Sequence, residues 1–231
     1  MKLSNSLIAL IVLTLALPLS ASAQSISAVH AINGTDLGAS KAFPVDIAVD
    51  GNCALTNFRF GDITGYIDLG RGNFDIDISV SDGNCGNEPV LSTTVKLKNG
   101  DFKTVVAQLD ANGAPITATY SDDQTTARSR NGRITFRHAA AAPSVDITLG
   151  QGFQNAVITA SNLQNGEEEA LTLRKKKYNT YIAAYLSESP LVGPIPLSAS
   201  PGMNTFIYAA GSLSNGTFEL LVDVKPLGGQ H

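Results

Sequence analysis

Few residues in this chain have the types and spacing that chemistry requires. His30 and His138 sit in matching contexts, Val29-His30-Ala31 and Arg137-His138-Ala139. A histidine works as a base or a metal ligand only with a nucleophile, a carboxylate or further ligands around it. Neither context shows such company. Asp46 and Asp146 form a second matched pair, and Asp50, Asp68, Asp75, Asp77 and Asp82 crowd the first half. Calcium prefers clustered carboxylates on loops, but no D-x-D-x-D-G loop occurs, and Asp75 and Asp77 fall on one strand face. A solvated acidic face is therefore expected, with no cofactor and no metal.

Cys53 and Cys85 are the only cysteines. They are too far apart for a redox C-x-x-C motif and lack the neighbours a zinc site needs. In an oxidising compartment they are expected to pair, closing a loop whose constraint contributes roughly 3–4 kcal/mol. Glu167-Glu168-Glu169 and Arg174-Lys175-Lys176-Lys177 flank a short alternating segment. They are read as charges that neutralise one another at a solvated edge, with contact to anionic polysaccharide or lipid head groups as the other reading. No G-x-S-x-G elbow, H-E-x-x-H, P-loop or dinucleotide fingerprint occurs. The chain has no Trp, so it lacks the aromatic platform common in sugar-cleaving clefts. Asn33-Gly34-Thr35 and Asn215-Gly216-Thr217 are read as turns.

The elements that would position these residues are strands. Apolar residues recur with period two in Val45–Val49, Phe74–Val80, Val90–Leu97, Phe102–Leu109 and Ile116–Tyr120. In Phe74-Asp75-Ile76-Asp77-Ile78-Ser79-Val80 one face is apolar and the other polar, as in a half-buried strand. Asn-Gly pairs at residues 33, 99, 112, 131, 165 and 215 suit primed turns, and Lys96–Phe102 reads as the clearest hairpin. Strands at this spacing without helices between them point to antiparallel sandwiches.

Three landmarks then repeat in one order. The His-Ala dipeptide followed by Pro44-Val45-Asp46-Ile47 recurs before Pro143-Ser144-Val145-Asp146-Ile147. Tyr66–Leu69 through Phe74–Ile78 aligns with Ala170–Leu173 through Tyr178–Ile182. Phe102–Ala107 aligns with Asn204–Ala209. The expectation is an all-β chain of two tandem immunoglobulin-like antiparallel β-sandwich domains, residues 25–123 and 132–225. A short exposed linker, 124–131, would join them.

Residues 1–23 have the layout of a cleavable secretory signal: Lys2, an apolar run Leu7–Leu17, and small residues ending at Ala23. No Cys follows for a lipid anchor, and no later run reaches membrane-spanning length. The net charge of −4 argues against nucleic acid as a partner, because phosphate contacts need a basic surface.

At these landmarks the chain resembles the bacterial domain-of-unknown-function family 4397, whose members are exported and often carry tandem copies. The family's opening looks like His138-Ala139 to Ala142-Pro143-Ser144-Val145-Asp146-Ile147. Its middle element looks like Phe60-Gly61-Asp62-Ile63-Thr64-Gly65-Tyr66-Ile67-Asp68-Leu69-Gly70-Arg71-Gly72. The resemblance implies an immunoglobulin-like sandwich with no established chemistry, and structural roles for His30 and His138 as buried rings bonding loop backbone. Two departures stand out. The first copy inserts Asn33–Phe43, and the second lacks the Phe-Gly and Gly-x-Gly turns. The function expected is a non-enzymatic module, secreted, periplasmic or at the cell surface, engaging an unidentified protein or glycan. A hydrolase and a subunit of a self-assembling layer or fibre are the alternatives.

Overall fold

The computed structural model describes residues 24–228; the expected secretory signal lies outside them. The first unit comprises β1 (Ser25–His30), β2 (Val45–Val49), β3 (Asn52–Phe58), β4 (Ile67–Asp68), β5 (Gly72–Val80), β6 (Pro89–Leu97), β7 (Phe102–Leu109) and β8 (Pro115–Ser121). The second comprises β9 (Asn131–His138), β10 (Val145–Gly150), β11 (Val157–Leu163), β12 (Glu168–Arg174), β13 (Lys176–Ala184), β14 (Pro190–Ala199), β15 (Met203–Ala210) and β16 (Glu219–Pro226).

In the first unit a β4-β1-β7-β8 sheet faces a β3-β2-β5-β6 sheet. In the second, β12-β9-β15-β16 faces β11-β10-β13-β14. The protein is thus two tandem all-β sandwiches with the same strand order. The register agrees as well, since His30 pairs with Ala107 and His138 with Ala209.

Two features differ from the expectation. First, β1 runs parallel to β7, and β9 runs parallel to β15. No helical crossover is needed, because the intervening strands provide the long connection that parallel pairing requires. Second, Asn99-Gly100 does not close a hairpin: β6 pairs with β5, whereas β7 joins β1 and β8 in the opposite sheet. Gly100, at φ +79°, instead turns an arch between sheets. A positive-φ turn reverses the chain in either case. Its destination is set by burial, and Val95 and Leu97 of β6 meet Val105 and Leu109 of β7 across one core.

Each sandwich has its own apolar core, built on Ile47, Ile76, Ile78 and Leu97 in the first and on Ile134, Phe136, Ile147 and Ile207 in the second. A third core lies between the units. The β1, β7, β9 and β15 strands are buried on both faces. Val29, Ala31, Val106 and Tyr120 pack there against Ala139, Phe206, Tyr208 and Ala210. The four sheets therefore stack as layers, and the middle strands of the two central sheets have no solvent face, whereas β4, β8, β12 and β16 at their edges keep exposed residues. The run Ala139–Ala142 is buried throughout, with Ala141 reaching into the first unit's core; side chains this small let the two backbones approach closely.

Candidate functional site: a charged seam between two sandwiches

The seam also holds deeply buried charged groups. In β9, Ile134 and Phe136 face the second core, so Arg133, Thr135 and Arg137 must face the first unit. The Arg137 side chain is fully buried and pairs with Asp122, whose side chain is also fully buried. Its Nε donates to Glu168 at 2.9 Å and its Nη1 to the Tyr208 hydroxyl at 3.0 Å. The guanidinium lies 4.5 Å from the centre of the Tyr120 ring and 4.6 Å from that of Phe206, a stacked arrangement well suited to arginine. Burial opposes its charge, but Tyr208, Asp122 and Glu168 together hold it protonated more firmly than a free arginine. Asp122 accepts further bonds from Thr104 Oγ1 at 2.7 Å and the Tyr66 hydroxyl at 2.6 Å. Burial first, and then Asp122, push the Tyr66 phenol well above its ordinary value.

Lys225 of β16 crosses the same seam. Its ammonium donates to Ser27 Oγ at 2.6 Å, pairs with Asp223 at 3.1 Å and lies 4.4 Å from the Tyr66 ring centre. Burial pulls its pKa down, against the opposing pull of Asp223. At the rim, Asp36 accepts from Asn215 Nδ2 at 3.0 Å and from Thr217 Oγ1 at 2.8 Å, and Lys41 pairs with Glu219 at 3.2 Å. Asp36 and Lys41 belong to the Asn33–Phe43 insertion of the first copy, which thus braces the second unit. Gly211 N–H also reaches Ala31 O. The segment expected as an exposed linker is largely exposed but bonded: Arg133 Nη1 donates to Asp123 O at 2.7 Å and Gly228 N–H to Gln124 O at 2.9 Å at its start, and Lys175 N–H to Arg130 O at 2.7 Å at its end.

The matched residues from the sequence lie apart from the seam and from one another. Asp46, fully buried, accepts from Asn57 N–H at 2.8 Å, from Ser81 Oγ, and from the amides of Asp82, Gly83 and Cys85. Burial works against its charge, but the bonds from Ser81, Asn57, Cys85 and Asp82 outweigh it and hold the carboxyl well below the usual range. Asp146 accepts from Ser161 Oγ, Asn162 N–H and Leu186 N–H. Asn57 and Asn162 are both left-handed, at φ +55° and +56°, and each sits at a bulge in the β2–β3 or β10–β11 ladder. The aspartate accepts the amide that the bulge removes from pairing.

His30 Nε2–H donates to Phe43 O and His138 Nε2–H to Pro143 O, each at 2.9 Å. Burial pushes both rings below the ordinary imidazole value despite these bonds. Cys53 and Cys85 form a disulfide with Cα atoms 5.5 Å apart. It fastens the 81–88 loop beneath which Asp46 sits. Asp75 and Asp77 accept from Thr94 and Ser92 across the β5–β6 ladder. Among the described residues no group of three or more His, Cys, Asp or Glu is placed to hold a metal, and no helix is long and apolar enough to cross a membrane.

The seam was missed in the sequence. Its one available signal was the alternation Arg133-x-Thr135-x-Arg137 opposite an apolar face, followed by four alanines. The 174–177 run is exposed, as expected of a solvated edge, but among the described residues no ion pair joins it to the 167–169 run. Glu168 lies opposite Arg137, at the far end of β12 from Arg174.

Two stacked sandwiches with one strand order, joined through a buried salt-bridged seam, define a class of fused tandem β-sandwich proteins. The chain belongs to the family described as domain of unknown function DUF4397, whose model matches residues 25–148. That match covers the first unit and runs into β10. No curated protein matches the sequence. Solved structures similar to the chain include the Bacillus anthracis TIE protein, at 10% identity and TM-score 0.25, over 82% of this chain and 33% of that one. The chain therefore spans about a third of that protein's length. Another is a "putative cell adhesion protein" from Bacteroides ovatus, at 8% identity and TM-score 0.30, over 90% and 98% of the two chains. A third, similarly described, comes from Bacteroides uniformis, at 12% identity and TM-score 0.22, over 90% and 98%.

Proposed function

We propose that the protein is an exported, non-enzymatic module of the cell envelope or surface that engages a protein or glycan through its loops and sheet edges. The observation that carries this reading is how the buried ionisable groups are used. Arg137, Asp122, Lys225, Asp46, His30 and His138 are all bonded to groups that join sheets, bulges or units. Groups so engaged stiffen a scaffold; a catalytic group must instead be presented to a substrate. The result is a two-unit body whose relative orientation is held by its seam, with loops left for recognition. Prolines at 190, 194 and 196 in β14 interrupt one outer edge, which disfavours edge-to-edge assembly. The test is incubation of the full chain with a panel of glycans and esters alongside binding measurements on the same panel. Binding without turnover supports the reading. Turnover abolished by an Asp-to-Asn change in the first unit would sink it and favour a hydrolase.

A further inference from the structure

The two turns at one end of the second unit enclose a feature the seam does not use. The connecting segment ends in a reversal closed by Asn131 N–H on Arg128 O, with Arg130 left-handed at φ +74°. The arch from β12 to β13 lies beside it, and Lys175 N–H donates to Arg130 O at 2.7 Å. Between the two turns runs an open groove of about 740 Å³, lined by Arg128, Ser129, Arg130, Asn131, Arg174 and Lys175. Its four cationic side chains are exposed, and Lys176 and Lys177 continue the charge along β13. None of the ion pairs among the described residues involves any of these six. The glutamates nearest in sequence lie elsewhere. Even Glu169, the nearest of them, is five residues along β12 from Arg174, about 17 Å at strand rise and beyond the roughly 8 Å Debye length of physiological salt. A chain of net charge −4 thus concentrates uncompensated positive charge in one concave place.

We infer that this groove binds an anionic polysaccharide, one carrying sulfate or phosphate groups along its chain. This inference rests on the module reading above and names the glycan it would engage. Guanidinium groups match oxyanions in a forked geometry, and Ser129 and Asn131 offer neutral donors and acceptors to sugar hydroxyls between the charges. A lipid surface fits less well, because interfacial binding needs apolar side chains inserted beside the cations and the groove lining contains none. Single-stranded nucleic acid fits less well too, because bases need aromatic platforms and the lining has none.

The test is titration of the full chain with dextran sulfate at several salt concentrations, with uncharged dextran, phosphatidylglycerol vesicles and single-stranded DNA as parallel probes. Dextran sulfate is expected to bind where dextran does not, and about three to four neutralised charges give a salt slope near −3 on the counterion-release argument. Affinity should then fall roughly 60-fold between 50 and 200 mM salt. Arg128→Gln with Arg174→Gln should lower affinity at least tenfold and flatten the slope without changing the melting temperature. Lys96→Gln with Lys98→Gln, an equal charge change on exposed residues of the first unit, should change neither. Equal losses in the two double variants, or tighter binding of vesicles or DNA than of dextran sulfate, would overturn the groove assignment. Uncharged dextran bound equally by the wild type and the groove variant would also overturn it while leaving the module reading intact. Cleavage of any probe would overturn the module reading itself.

Discussion

Replacing Arg137 with Met tests whether the seam joins the two units. The substitution keeps much of the aliphatic stem and removes the guanidinium. The bonds lost are those to Asp122, Glu168 and Tyr208, together with the stacking on Tyr120 and Phe206. The larger effect is on Asp122, which stays buried without its cation and keeps only the Thr104 and Tyr66 hydroxyls. Removing one member of a buried ion pair costs about 3–5 kcal/mol. For a domain pair of this size, that corresponds to a fall in melting temperature of roughly 6–20 °C. Scanning calorimetry of the wild type is expected to show one transition, because neither unit can open without exposing the seam. Arg137→Met should lower that transition and split it, with the units unfolding separately. Adding Asp122→Asn should recover part of the loss, since the stranded charge is removed as well. A loss under 1 kcal/mol, or a double variant equal to the sum of the single ones, would refute the argument that the pair is coupled and buried.

Further predictions follow from the matched features. Both His30 and His138 are pushed below the ordinary imidazole value by burial, so below about pH 6.5 the unfolded chain binds protons that the folded one refuses. Stability should therefore fall with acidification by up to about 1.4 kcal/mol per pH unit for each ring, read as a lower urea midpoint at pH 5.5 than at 7.5; an unchanged midpoint contradicts it. The first core contains a cavity of about 60 Å³ lined by Ala28, and the second only about 10 Å³ where Phe136 holds the equivalent position. At about 24 cal/mol per Å³, Ala28→Phe should stabilise by up to about 1.4 kcal/mol, whereas Phe136→Ala should cost about 3–5 kcal/mol; a destabilised Ala28→Phe means the first core cannot accept the ring. Reducing the Cys53–Cys85 disulfide, or changing both residues to Ser, should cost about 3–4 kcal/mol for a loop of sequence separation 32, measured by denaturation with and without reductant. Gly211 has φ +74°, and a Cβ there would come within 2.4 Å of Thr217 O, so Gly211→Ala should cost at least about 1–3 kcal/mol and lower the melting temperature.

Much of the fold was legible because one property of a sandwich strand is local. In Phe74–Val80 the alternation assigned Ile76 and Ile78 to the core and Asp75 to the surface, and the structure agrees there, but the pattern reverses at the strand's end, where Ser79 is buried and Val80 exposed. The repeat was legible for a related reason. The His-Ala and Val-Asp-Ile landmarks mark a parallel-paired strand end and an aspartate-held bulge, and both recur at the same register in each unit. The disulfide followed from the cysteine count and the expectation of an oxidising compartment. The Asn99-Gly100 hairpin did not follow, because a turn dipeptide encodes reversal and leaves the partner strand open.

By itself, the amino-acid sequence determined the strand-only composition, the two-fold internal repeat, the paired cysteines and which face of each outer strand is apolar. Tertiary structure alone decided what covers the other face of the central strands. Arg133-x-Thr135-x-Arg137 reads as a solvated face, since charge normally stays in water unless it is paired. The pairing partner, Asp122, belongs to the other unit, and the aromatic rings of Tyr120 and Phe206 that shield the pair come from both units. Burial of that charge depends on groups brought together only when two sheets dock, and strand periodicity carries no information about docking.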